Sequence, residues 1–305
     1  HVKAIVNAAG PWVKHVAEDI LDLESKTNLR LVKGSHIVVR KFLNHDHAFI
    51  LQGKDGRVIF VIPYMNDFTL IGTTDVLLDA LEQPVTISNE EIQYLCNNVN
   101  EYLQHNITPQ DVLWEYAGIR ALHSTELIEA RNMTRDYLIE IDEGNGNAPA
   151  LSIFGGKLTT YRSLAETIVN HLQKYFPNLG KPWTTRAYLP GGFLPNDDLA
   201  AYTQHILKTY APLPPDILRH YINNYGTRAV EVLMNSHILP DLGNHFGGAL
   251  YKREVDYLVQ HEWAKTAEDI LWRRGKQGLL FTPEQTKNLE NYLSSLAVPH
   301  ENVRG

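Results

Sequence analysis

The hydrophobic positions of this chain change period several times, and each change marks a boundary. Residues 2–7 are a short apolar run that turns at once, through Ala8-Ala-Gly-Pro-Trp12, into a helical start with Pro11 suited to a first helical position. From residue 29 the pattern becomes strand-like. Residues 31–40, 48–51, 57–63 and 68–72 read as strands of an antiparallel meander, broken by polar turns such as Gly53-Lys-Asp-Gly56 and Asn66-Asp67. A helix follows, with Ser88 as N-cap, Glu91 completing a capping box, and Ile92, Leu95, Val99 and Leu103 on one face. Strands resume at residues 112–122, 135–141 and 150–154, and the last runs into a helix whose apolar stripe is Leu158, Tyr161, Leu164, Ala165, Ile168 and Leu172. Beyond Tyr175 the periodicity is helical to the end, near residues 197–210, 214–223, 226–235, 250–261, 266–273 and 283–297. Pro177 and Gly180-Lys-Pro182 mark one boundary there, and Leu189-Pro-Gly-Gly192 another.

Composition narrows the class. A length of 305 residues suggests two domains, and 44% hydrophobic with 21% charged residues is ordinary for a globular protein. A net charge of −7 argues against broad nucleic-acid binding, because phosphate neutralisation needs basic surface. Cys96 stands alone, which rules out internal disulfides and cysteine-clustered metal sites and fits a reducing compartment. No apolar run approaches a membrane span and the first residues lack the apolar core of a signal peptide, so any membrane contact is expected to be peripheral.

Several stretches carry candidate chemistry. In Ser152-Ile-Phe-Gly-Gly-Lys-Leu-Thr-Thr-Tyr-Arg162 an apolar strand passes through Gly155 and Gly156 straight into a helix, so free N–H groups, a helix N-terminus and the Lys157 cation converge on one point. An electron-rich or anionic guest fits there; so does a tight turn that needs glycine only for positive φ. Arg135 has the strand parity of Tyr137, Ile139 and Ile141, and Arg120 has that of Trp114 and Tyr116. Guanidinium groups on an apolar face must find anions. Two planar forks could hold one phosphate, or each arginine could pair locally, Arg135 with Asp136 or Glu140 and Arg120 with Glu115 or Glu126. His36, within a strand, is either a hydrogen-bonded core histidine or a group able to take a proton from an alcohol. Gly72-Thr-Thr-Asp75 resembles a polar strand end whose hydroxyls meet a ligand or cap a turn. No G-x-G-x-x-G follows a strand, so the fingerprint expected to hold a dinucleotide pyrophosphate is missing and the chain reads as one that begins mid-domain. In the tail, Trp263, Trp272 and Arg273-Arg274 either fill a core or face lipid headgroups.

Taken in order, Asn7-Ala-Ala-Gly-Pro-Trp12, Leu31-Val-Lys-Gly-Ser-His36, Ile71-Gly-Thr-Thr-Asp75, Tyr116-Ala-Gly-Ile-Arg120, Thr134-Arg-Asp-Tyr137, Phe154-Gly-Gly-Lys-Leu-Thr-Thr-Tyr-Arg162 and His261-Glu-Trp with Leu271-Trp-Arg-Arg274 form a specific combination. It resembles the FAD-dependent glycerol-3-phosphate dehydrogenases of the aerobic bacterial and mitochondrial type, over essentially the whole chain. The Gly-Gly-Lys turn alone would resemble only the wider amino-acid-oxidase-like flavoproteins.

The resemblance implies an α+β fold of the amino-acid-oxidase-like flavoprotein kind. Residues 1–28 would be a remnant of the FAD-binding α/β region, 29–150 an antiparallel-sheet substrate domain, 151–182 a flavin-contacting strand and helix, and 183–305 an all-α C-terminal domain. It implies oxidation of sn-glycerol 3-phosphate to dihydroxyacetone phosphate, with hydride passing to FAD and electrons to membrane quinone. The enzyme would be a homodimer, cytoplasmic and held peripherally on the cytoplasmic face of the inner membrane. Asn7, Ala8, Gly10, Gly155, Gly156, Lys157, Leu158 and Thr159 would lie against the cofactor. Arg120 and Arg135 would clamp the substrate phosphate, His36 would take the C2 hydroxyl proton, and Thr73 and Lys157 would be neighbouring catalytic groups. No metal is implied. Because the family's N-terminal glycine-rich motif is missing, this stretch is expected neither to retain FAD nor to turn over by itself, the activity belonging to a longer parent protein. Two alternatives stand beside this one: a related FAD-dependent amine or amino-acid oxidase, and a non-catalytic assembly module. The persistence of His36, Thr73, Arg120, Arg135 and Lys157 argues against the module.

Overall fold

The chain enters through β1 (Ile5–Asn7), whose strand ends as the buried Asn7 side chain closes the turn that follows. Its amide nitrogen donates to the Val13 carbonyl at 2.8 Å, which sets the start of the short helix α1 (Val13–His15) and the π turn Val16–Ile20. The computed structural model describes residues 1–81, 84–124, 136–144 and 148–297. They divide into two units at Thr185 and Arg186.

In the first unit the long strand β2 (Asn28–Arg40) is the axis of a six-stranded sheet. The strands β3 (Phe49–Gln52), β4 (Val58–Tyr64) and β5 (Phe68–Gly72) follow as the expected meander, with β5 paired to β2 from His36↔Gly72 to Arg40↔Phe68. The sequence pattern gave no sign of β6 (Val76–Leu78), which pairs with the same edge of β2 at residues 31–33. Three residues are too few to show alternation. Its presence makes β5 and β6 two halves of one strand, interrupted at Thr73, Thr74 and Asp75.

Alternation along β2 sends Ile37 and Val39 to one face, where the helix α2 (Asn89–Tyr102) covers them. The helix begins at the expected capping box, Ser88 with Glu91, and buries Ile92, Leu95, Cys96 and Val99 against Ile37, Ile59, Val61 and Ile71. Each such side chain contributes about 1.5–3 kcal/mol of burial. Burial also pushes the Cys96 thiol up to about 11, so it acts as a small apolar residue. The other edge of β2 is taken by β7 (Val112–Ser124), antiparallel from Asn28↔Ser124 to Val39↔Val112.

A second, three-stranded sheet has β9 (Ala150–Gly155) at its centre, parallel to β1 and antiparallel to β8 (Tyr137–Asp142). The helix α3 (Tyr161–Leu172) packs Leu164, Ile168 and Leu172 on Leu151 and Ile153. A 3-10 turn, Leu158–Thr160, precedes it, so the helical stripe expected from Leu158 tightens in its first three residues.

The second unit is helical, as the spacing predicts: α4 (Leu199–Thr209), α5 (Pro215–Tyr225), α6 (Ala229–Leu233), α7 (Lys252–His261) and α8 (Pro283–Ala297). A short hairpin of β10 (His245–Gly247) and β11 (Leu250–Tyr251) interrupts the helices, too brief to register in the hydrophobic pattern. Trp272 packs beside the buried cluster around Leu258, Ile270 and Leu289, whereas Trp263 is 84% exposed. The core also holds Glu254, 1% exposed, which accepts the Tyr225 hydroxyl at 2.6 Å and lies 2.9 Å from His220 Nε2. Burial, followed by the Glu254 charge, holds the Tyr225 phenol protonated far above its ordinary range. Glu254→Ala is expected to cost about 3 kcal/mol, since it strands buried polar groups without an acceptor. A fall of under about 1 kcal/mol by calorimetry would show that this cluster is not structural.

Candidate active site

The candidate residues gather on the face of the large sheet opposite α2. Antiparallel register pairs His36 with Tyr116, Gly34 with Gly118 and Val32 with Arg120, so these residues share one face. His36 and Tyr116 stack with ring centroids 4.8 Å apart, and Trp114 lies 5.1 Å beyond Tyr116. On the other side of β2 the His36 ring lies against Gly72, where a β-carbon would come within 2.0 Å of His36 Cδ2. Glycine at position 72 is therefore what admits the imidazole. A β-carbon on Gly34 would stand 2.5 Å from the Arg120 guanidinium and 2.7 Å from Thr73 Oγ1, while one on Gly118 would meet nothing within 4 Å. The floor between His36 and Arg120 is bare backbone.

The strand break supplies the partners. Arg120 Nη1 donates to Asp75 Oδ1 at 2.6 Å and Nη2 to Thr73 Oγ1 at 2.9 Å. Of the two local partners expected for Arg120, Glu115 differs from it by an odd number of residues and so lies on the opposite face, and Glu126 lies outside the described residues. Arg120 is nonetheless 28% exposed, so it is a cation on an open face, with N–H donors left for a further anion. Burial first, and the Arg120 charge second, hold the His36 imidazole below its ordinary value of 6.5. It is neutral at pH 7. Its Nδ1 is buried and has no hydrogen-bond partner among the described residues.

The Gly155 bend leans on the far end of the same strand. Gly155 and Gly156 have φ of 73° and 104°, a region that favours glycine. A β-carbon on Gly155 would sit 2.8 Å from the Asp136 carbonyl and 3.1 Å from His123 Cδ2. Protein packing alone thus accounts for glycine at 155. His123 Nε2 lies 3.0 Å from the same carbonyl, tying the end of β7 to the start of β8. Beyond the bend, Lys157 lies 3.3 Å from Asp136 Oδ1, Leu158 is 89% exposed, and no side chain caps the helical start.

Because β1 and β9 are parallel, with Asn7 opposite Ser152, the turn of Ala8 and Gly10 emerges at the same sheet edge as the turn of Gly155, Gly156, Lys157, Leu158 and Thr159. Doubly wound folds receive ligands outside such carboxyl ends. Asn7 itself is a brace: both amide hydrogens are used within the protein, on Val13 O and Ser152 Oγ. His36, Thr73 and Arg120 are thus brought together, and the glycine bend meets β7 at Ala121 and His123, beside Arg120 in sequence. Arg135 lies outside the described residues. Sequence reasoning gave no role to Asp75 or Tyr116; Tyr116 could have been found by its parity with Arg120, and Asp75 by its place at the end of the polar run Gly72-Thr-Thr-Asp75.

Residues 1–162 match the family model described as FAD dependent oxidoreductase. The chain belongs to that family. Residues 182–297 match the C-terminal domain of alpha-glycerophosphate oxidase. Among the relatives of the chain, glycerol-3-phosphate dehydrogenase of Pseudomonas aeruginosa is 46% identical over 96% of the chain and 57% of its own length. D-erythritol 1-phosphate dehydrogenase of Brucella abortus is 43% identical over 92% of the chain and 56% of its own length. The chain therefore spans little more than half of these relatives. The solved structure of glycerol-3-phosphate dehydrogenase from Bacillus halodurans, complexed with FAD, superimposes with a TM-score of 0.75 at 25% identity, covering 97% of this chain and 62% of that one. The amino-acid-oxidase-like fold expected from the motifs is the observed one.

Proposed function

We propose that the protein to which these residues belong oxidises sn-glycerol 3-phosphate to dihydroxyacetone phosphate with FAD as its cofactor. The observation that carries this is Arg120, an open-face cation pre-aimed by Thr73 and Asp75 across a backbone floor from a neutral His36. The cofactor would fit this chain where two parallel strands end together: the exposed Ala8, Gly156, Lys157, Leu158 and Thr159, with the half-buried Gly10 and Gly155, offer uncapped backbone and one cation at that edge. Bound there, FAD would supply the acceptor for hydride from the substrate's C2. The residues of the chain do the rest. Arg120, with Arg135 as its proposed second fork, binds the phosphate and so converts binding energy into alignment of C2. His36, neutral at working pH, takes the C2 hydroxyl proton, and Thr73 keeps the guanidinium in place.

Electrons then go to membrane quinone, from a homodimer bound peripherally to the membrane. These three points rest on the family resemblance. No helix among the described residues is long and apolar enough to cross a membrane, and Trp263 offers an exposed aromatic to an interface.

The B. abortus relative raises a second substrate, a phosphorylated tetritol. Anaerobic mixing of the intact protein with glycerol 3-phosphate, D-erythritol 1-phosphate, glycerol and amino acids separates the possibilities. Bleaching of flavin absorbance by glycerol 3-phosphate, and not by glycerol, is expected. Faster bleaching by the tetritol phosphate would reassign the substrate, and bleaching by an amino acid alone would overturn the proposal. In the same assay Gly72→Ala is expected to slow reduction about 10²-fold, because the new methyl displaces the His36 ring. A rate equal to the unmodified protein's would show that the ring's seat does not matter.

A further inference from the structure

The break between β5 and β6 has a lock on the face away from the site. Ser35 N–H donates to Thr74 Oγ1 at 3.0 Å, and Thr74 N–H reaches the Ser35 carbonyl at 3.3 Å. A side-chain oxygen thus replaces one backbone rung just where the β5–β6 edge of β2 has no strand beside it. A threonine hydroxyl has one proton to give. Thr74 gives it to Glu91 Oε1 at 2.7 Å, which fixes the hydroxyl's direction. Ser35 Oγ donates to the same oxygen at 2.8 Å, and Glu91 Oε2 receives Lys33 Nζ and Ser88 N–H, each at 2.9 Å. Ser35, Thr74 and Glu91 are 0%, 1% and 7% exposed. Burial pulls the Glu91 carboxyl up, but the hydrogen bonds from Thr74, Ser88, Lys33 and Ser35 outweigh it and hold the group below its ordinary range.

The capping box requires only the Ser88 contact, which an amide oxygen would serve as well. The remaining donors need a carboxylate. None of them reaches the site face; the two residues flanking Thr74 do, since Thr73 and Asp75 hold the Arg120 guanidinium.

We infer that Glu91, acting through Thr74, is a positioning residue for substrate phosphate: it pins the strand break from below so that Thr73 and Asp75 aim Arg120. This rests on the phosphate-binding role proposed above for Arg120, and it adds a group on the opposite side of the sheet to the determinants of substrate affinity. Thr74→Val keeps the shape and removes the hydroxyl; Thr74→Ser keeps the hydroxyl. Leu95→Ala, in the apolar core of the same helix, loosens α2 without touching the lock.

The test measures KM and kcat for glycerol 3-phosphate in the intact protein, and the calorimetric Kd for the same compound, for these variants, Glu91→Gln and Arg120→Ala. Thr74→Val and Glu91→Gln are expected to raise KM and Kd about tenfold with kcat changed less, because binding geometry rather than proton transfer is disturbed. Thr74→Ser is expected to restore both, and Leu95→Ala to lower the melting temperature with KM unchanged. Thr74→Val and Glu91→Gln that lose stability like Leu95→Ala but bind substrate normally, while Arg120→Ala binds it poorly, would overturn the lock and leave the phosphate site standing. Normal binding by Arg120→Ala would overturn both.

Discussion

Arg120→Ala in the intact protein is expected to raise KM for glycerol 3-phosphate about 10²-fold, equivalent to about 3 kcal/mol, with a smaller fall in kcat. A hydrogen bond to a charged group is worth about 1.5–3 kcal/mol net, and a guanidinium offers a phosphate two in parallel. Part of that is offset here because Arg120 already serves Asp75 at 2.6 Å. The substitution also leaves the Asp75 carboxylate facing the incoming dianion. Asp75→Asn on top of Arg120→Ala should therefore recover part of the lost affinity, an outcome that simple loss of a cation does not give. Arg120→Lys is expected to rescue poorly, since an ammonium lacks the planar fork that reaches Thr73, Asp75 and a phosphate together. The steady-state constants of these variants decide the matter, and unchanged values for Arg120→Ala would remove it from the site.

His36→Gln is expected to slow flavin reduction at saturating substrate about 10²–10³-fold while leaving KM nearly unchanged, in line with the loss of a general base. Single-turnover mixing measures it. The pH profile gives an independent check. Burial and the Arg120 charge lower the folded-state pKa of His36 below 6.5. The base is mostly neutral at and above that value, so the acid limb of the activity profile has its midpoint below pH 6.5. Stability follows the same sign: the unfolded histidine binds its proton first, so whatever His36 contributes is lost as pH falls below 6.5. Arg120→Ala removes the second cause and should move the acid limb of the profile upward. A limb with its midpoint above pH 6.5 in the unmodified protein would contradict the assignment of His36.

How much of this was legible in the chain follows from which forces are local. Capping of α2 by Ser88 and Glu91, the extent of β5 and the helical spacing of the second unit depend on neighbours within a turn or a pleat, and they appear in the fold as expected. What the pattern could not show is long-range pairing. Arg120 finds Asp75, 45 residues away in sequence, rather than the nearby Glu115, because pleating puts Glu115 on the wrong face. Glu91 was readable as a cap but not as the anchor of Ser35 and Thr74, since those meet it only once the sheet has closed over the helix. β6, β10 and β11 are two or three residues long and exist through register with a partner strand, not through their own periodicity. Gly155 illustrates the opposite limit: positive φ was one of the two readings its sequence allowed, and the structure adds a further reason for glycine in the backbone of Asp136 and the ring of His123.

The most direct test is a crystal structure of the intact protein with glycerol 3-phosphate bound. Phosphate oxygens within hydrogen-bonding distance of the Arg120 guanidinium, with the C2 oxygen turned toward His36 above the Gly34 and Gly118 floor, are the expected result. Substrate phosphate bound elsewhere, with Arg120 still held only by Thr73 and Asp75, would contradict the account.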